Sequence, residues 1–129
     1  MTRIVELSNQ MKSVIEVSCL ETLRKLETPE DPNVLHELLQ LFHQSSEMKL
    51  QSLASSLTRR DYQQMSNDAH SLKATCATLG AHGLSQTCRK LEAAVLAGDL
   101  QKTTELLEQL QAGYLQVKQE LKERVLPAV

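Results

Sequence analysis

Aromatic side chains are almost missing from this sequence: one Phe, two Tyr and no Trp among 129 residues. Any core must therefore be aliphatic, and the stacking platforms that bind single-stranded nucleic acids are excluded. An excess of one charge sign is also lacking. Fourteen basic and sixteen acidic residues give a net charge of −2, with neither sign gathered into a block, so no basic footprint for nucleic acid exists. No apolar run approaches the roughly 20 residues needed to cross a bilayer. The opening stretch MTRIVELSNQMK carries Arg3 and Glu6 where a signal peptide would be apolar. A cytoplasmic protein without membrane attachment is expected. Cysteines number three, Cys19, Cys76 and Cys88, an odd count with no CxxC. They are expected to be reduced, buried and small.

Glycine and proline are scarce as well, at four and three, so each break carries information. The cluster Thr28-Pro29-Glu30-Asp31-Pro32 predicts a helix start, with Asp31 as cap and Pro32 in the first turn. That helix should run to about Leu57, where Thr58-Arg59-Arg60-Asp61 supplies a polar turn. Gly80 and Gly98 fall where a left-handed residue closes a helix, and Asp99 can cap the last one. Apolar spacing agrees. Tyr62, Met65, Ala69, Leu72, Cys76 and Leu79 recur at three and four residues, as do Leu100, Thr103, Leu107, Leu110, Tyr114, Val117 and Leu121. A shorter stripe holds Leu84, Cys88, Leu91 and Val95, and the segment from Val34 to Leu57 offers Leu38, Leu41, Phe42, Met48 and Leu53. The expected fold is all-α: an antiparallel up-down four-helix bundle with an additional N-terminal helical segment. It forms one domain over residues 1–129, the N-terminal segment at about 3–27 and the bundle at about 32–125.

Most chemistries have no support in such a chain. No glycine-rich phosphate loop or GxSxG elbow is present. The four histidines, His36, His43, His70 and His82, include no pair three or four residues apart. His36 and His43 share a face but stand roughly 10.5 Å apart along a helix, too far for one zinc ion. No metal site is expected.

One histidine stands out by position. At 100° per residue the stripe from Tyr62 to Leu79 leaves His70 roughly 130° from its centre, facing water. Around it lie Ser66, Asn67, Lys73, Ala74 and Ala77, so the surface near the imidazole is kept low and Lys73 can hold an ammonium near an incoming anion. On the next helix Glu92 lies about 70° off the core, at a seam. A hydrogen bond from one His70 ring nitrogen to Glu92 would fix the tautomer and leave the other nitrogen as a nucleophile. Plainer readings exist for both residues: an exposed histidine among good helix formers, and a glutamate paired with a Lys or Arg.

The segment AHSLKATCATLGAHGLSQTCRKLEAAVLAGDL, Ala69 to Leu100, resembles the signature of histidine-containing phosphotransfer (Hpt) domains of two-component phosphorelays. The family pattern is approximately A-H-x-L-K-G with two small residues, then L-G-A, L, C, L-E and a Gly-Asp break. It is met by Ala69, His70, Leu72, Lys73, Thr75, Cys76, Leu79, Gly80, Ala81, Leu84, Cys88, Leu91, Glu92, Gly98 and Asp99. Upstream, the stretch containing Phe42 and Asp61 is similar to the family's second helix, and the likeness spans about Leu20 to Leu121. It implies that His70 accepts a phosphoryl group, that Lys73 lies beside it and that Glu92 hydrogen-bonds the ring, with Arg89 as a further cation. Ala74 departs from the pattern, which usually has Gly, and bears on how closely a partner approaches.

The resemblance further implies a phosphotransfer intermediate without ATP-dependent kinase activity. Its partners would be response-regulator receiver domains and a hybrid sensor histidine kinase. Mg²⁺ would belong to the receiver, leaving this chain with no cofactor, and a monomer is expected. Docking should use Ala74, Ala77 and Ala81, with Arg89 at the rim. The alternative is a non-phosphorylated helical-bundle adaptor that only binds partner proteins. A bundle hydrolase using His70 and Glu92 as a base pair lacks an evident nucleophile.

Overall fold

A computed structural model of the chain describes residues 16–124. Five helices follow in order: α1 (Val17–Arg24), α2 (Val34–Arg59), α3 (Tyr62–Thr78), α4 (His82–Ala97) and α5 (Leu100–Arg124). Helices α2 to α5 form the expected up-down bundle, and no strand occurs among the described residues. Residues 3–15 of the expected N-terminal segment, and the bundle's last predicted position at 125, lie outside the described residues. No described helix is long and apolar enough to cross a membrane.

The breaks act through specific groups. Asp61 caps α3 by accepting the Gln64 amide at 3.2 Å, and Asp99 does the same for Lys102 at 3.0 Å, each satisfying a donor the helix leaves open. Gly80 and Gly98 take φ of 81° and 71°, the left-handed region where a Cβ is penalised. Arg60 is also left-handed, with φ 57°, closing α2 through bonds from Arg60 N–H to Leu57 and Asp61 N–H to Ser56.

The start of α2 differs from the expectation. Asp31 does not cap it. Its backbone pairs with Thr28 in both directions and its amide also donates to Thr28 Oγ1 at 3.0 Å. The turn thus closes on itself and delays the helix to Val34, with Asn33 as an N-cap lacking a side-chain bond. Glu27 from the preceding segment accepts the Leu35 amide at 3.4 Å instead.

The α2 register also differs. Leu41 and Met48 face solvent at 61% and 71% exposure, and Leu38 is half-buried. The inward positions are Leu35, Leu39, Phe42, Ser46, Leu53 and Ser56, spaced by 4, 3, 4, 7 and 3 residues, with the partly buried Leu50 in the long gap. Small serines let the neighbouring helices approach, and their polarity hid the stripe from a hydrophobic count. Tyr62 and Leu100, first in their stripes, are each 38% exposed because they sit at helix ends. The remaining members of those two stripes are buried.

Helices α3 and α4 share the most extensive interface, followed by α4 with α5 and α2 with α3. Between α2 and α5, Phe42, His43 and Tyr114 group their rings, with centroid separations of 5.5–6.2 Å. Lys118 pairs with Glu47 at 2.8 Å alongside. Helix α1 packs against α2, and Glu16 just before it donates its amide to the Gly80 carbonyl at 2.8 Å. The N-terminal segment thereby closes the bundle end that holds the α3–α4 turn.

Candidate functional site

The pattern of α3 turns Met65, Ala69, Leu72 and Cys76 inward and sends His70 out. Its side chain is 69% exposed, against 19% for Glu92 and 28% for Lys73. Glu92 stands at the α3–α4 seam and meets both α3 residues at once. One carboxylate oxygen lies 3.1 Å from His70 Nδ1, and the other accepts from Lys73 Nζ at 3.3 Å. The two readings of Glu92 are therefore both realised in one residue. Ser85 on α4 donates its hydroxyl to the Lys73 carbonyl at 3.0 Å, a second tie across the same seam that the sequence did not suggest. Beneath it Cys76 and Cys88 are buried free thiols, where the hydrogen bond with Cys76 and then burial push the Cys88 thiol far up and keep it protonated.

This geometry fixes the ring chemistry. A carboxylate accepts hydrogen bonds, so a bond from Nδ1 to Glu92 selects the tautomer with its proton on Nδ1 and its lone pair on Nε2. An exposed imidazole with one nitrogen held and the other free is arranged as a nucleophile. The ammonium of Lys73, one turn further on, lies on the same face and can meet an anion arriving at Nε2.

Ala74 and Ala77 are exposed on α3, and Arg89 is exposed on α4. Ala81 is a correction, since it is fully buried. The helical phase that would carry it to the His70 face stops at Thr78. Beyond Gly80 the chain turns inward, and Ala81 donates its amide to Cys76 O at 2.8 Å. The other histidines are engaged elsewhere. His36 Nε2 meets Gln40 at 3.1 Å and His43 Nδ1 meets the Tyr114 hydroxyl at 3.3 Å. Burial, then the Lys118 charge, lowers the His43 pKa against the opposing pull of Glu47. His82 contacts Glu16. Cys19 is another correction, being half-exposed rather than buried.

A four-helix bundle that presents one imidazole, braced by a carboxylate from the neighbouring helix, defines the class of histidine phosphotransfer domains. Residues 37–120 match the Hpt domain family. The fold is similar to the crystal structure of histidine-containing phosphotransfer protein B (HptB) from Pseudomonas aeruginosa PAO1. The identity is 30% and the TM-score 0.78, covering 86% of this chain and 93% of that one. No curated protein matches. The chain belongs to the Hpt domain family, and its role is histidine phosphotransfer in a phosphorelay.

Proposed function

We propose that His70 is the phospho-accepting residue, with Glu92 and Lys73 as its positioning and charge-neutralising partners. The observation that carries this reading is the contact between His70 Nδ1 and Glu92 on an otherwise exposed ring. In the forward step Nε2 attacks the phosphorus of a receiver's aspartyl phosphate in line. The N–P bond forms as the P–O bond to the aspartyl group breaks, and that electron pair returns to the receiver's carboxylate. The charge spread over the equatorial oxygens is offset by Lys73. The Nδ1 proton stays on the ring, held toward Glu92, so the imidazolium formed at transfer is stabilised. Reversal follows the same path.

The match to the Hpt domain family supports a phosphotransfer intermediate and not a kinase. The donors and acceptors we assign are response-regulator receiver domains, fed by a hybrid sensor histidine kinase in the cytoplasm, with Mg²⁺ carried by the receiver and this chain acting as one domain and a monomer. The exposed methyls of Ala74 and Ala77, with Arg89 across the seam, suit the docking face. An adaptor that only binds partners would leave the His70, Glu92 and Lys73 arrangement without use. The test is incubation with a panel of phosphorylated receivers, followed by assay for acid-labile, base-stable phosphate. His70→Gln is expected to abolish labelling and keep the helix content. Phosphate on His36, His43 or His82 instead refutes the assignment.

A further inference from the structure

The bundle end distant from His70 gathers three side chains of different chemistry. Glu16 precedes α1, Cys19 lies in its first turn and His82 opens α4. Each offers one ligand atom, and these atoms all lie within 4.8 Å of one another. We propose that Glu16, Cys19 and His82 form a zinc site that clasps the N-terminal segment to the α3–α4 turn.

The geometry is already close to a coordination shell. Zinc bond lengths of about 2.3 Å to sulfur and 2.0–2.1 Å to nitrogen or oxygen put neighbouring tetrahedral ligands roughly 3.3–3.5 Å apart. Cys19 Sγ is 3.7 Å from Glu16 Oε2, and His82 Nε2 is in hydrogen-bonding contact with the same oxygen. The ion would take the place of the hydrogen bonds now made through that oxygen. Binding releases the Cys19 thiol proton to solvent, because the thiolate is the ligand, and shifts the His82 proton from Nε2 to Nδ1 so that the Nε2 lone pair can coordinate. A set of thiolate, imidazole and carboxylate selects zinc over the hard cations, which take oxygen ligands.

The backbone holds these ligands in register. The Glu16 amide bonds Gly80 O at 2.8 Å, and Glu16 O accepts the Cys19 amide at 3.1 Å. A Cβ on Gly80 would lie 2.7 Å from Glu16 O and 3.1 Å from Cys19 Cβ, so the two segments touch where only glycine fits. Glu16 and His82 side chains remain 52% and 56% exposed, which leaves an entry path and a fourth position open to water. The site is separate from the phosphotransfer residues: His70 precedes the end of α3 at Thr78 by eight residues, about 12 Å along the helix.

The full chain, reduced and freed of metal, is titrated with Co²⁺ and followed by absorption. One equivalent is expected to give a thiolate-to-cobalt charge-transfer band with the intense visible bands of tetrahedral coordination, and Zn²⁺ is expected to displace it. Cys19→Ser should lose the charge-transfer band. His82→Gln should weaken binding by more than the roughly 10–100-fold that follows loss of an outer partner. Zn²⁺ should raise the melting temperature of the parent and leave that of His82→Gln unmoved. Both variants are checked by circular dichroism without metal, so failure to fold is separable from failure to bind. Absence of the band in the parent, or its persistence in Cys19→Ser or at parent affinity in His82→Gln, overturns the proposal.

Discussion

Replacing Glu92 by Ala removes two contacts at once, the bond from His70 Nδ1 at 3.1 Å and the pair with Lys73 at 3.3 Å. A hydrogen bond to a charged group contributes about 1.5–3 kcal/mol when buried, and the 69% exposure of His70 moves the expected value to about 1–2 kcal/mol. Appearing in the transition state, this slows phosphoryl transfer by about 5- to 30-fold. The fold should change little, because the Glu92–Lys73 pair, at 19% and 28% exposure, still opens to solvent at the seam and contributes on the order of 1 kcal/mol. Rapid-quench transfer from a phosphorylated receiver measures the rate, and circular dichroism the helix content. Nitrogen NMR of the ring adds a reading that a merely structural role would not move. The parent should show the tautomer protonated at Nδ1, and Glu92→Ala a mixture. Glu92→Gln, which keeps an acceptor oxygen, should retain the tautomer and slow transfer less. An alanine variant that transfers at the parent rate with an unchanged tautomer refutes the positioning role.

Ala77→Arg and Ala74→Leu should hold stability within about 0.5 kcal/mol, since both sites are exposed. They should nearly abolish transfer from a receiver, while phosphoramidate, needing no docking surface, still labels His70; transfer at the parent rate would move the docking face elsewhere. The lowered pKa of His43 predicts a pH effect on stability. Below its ordinary value of 6.5 the unfolded chain takes up the proton first, so stability falls as pH drops through the window down to the folded value and is restored on return to neutral. Denaturant titrations near pH 7 and pH 5 should show a smaller loss for His43→Gln, and equal losses would assign the effect to other groups.

Much of the fold was legible because the chain breaks at few places and its stripes in α3 and α5 are nearly unmixed. Where polar residues enter the core the reading slipped, as with Ser46 and Ser56 displacing Leu41 and Met48 from the interior of α2. Asp31 departs from the helix-cap pattern because its turn bonds to Thr28 instead of the helix. At the site, helical phase placed His70 in solvent and Glu92 at the seam, since both lie within regular helices. It failed at Ala81, just past the point where that phase ends. The grouping of Glu16 and Cys19 with His82 has no local signal, for it depends on how the N-terminal segment crosses the bundle end.

His70 and Glu92 are 22 residues apart, on consecutive helices joined by the short turn at Gly80. Closing so small a loop carries a low entropic penalty, and contacts of low sequence separation form early in folding. The arrangement around the imidazole is therefore complete within a single helical hairpin, which also holds the most extensive helix–helix interface. Fraying of α1 or of the far end of α5, where opening free energies are lowest, leaves the geometry of the ring intact. A partner that loosens the bundle ends on binding would still meet a prepared nucleophile.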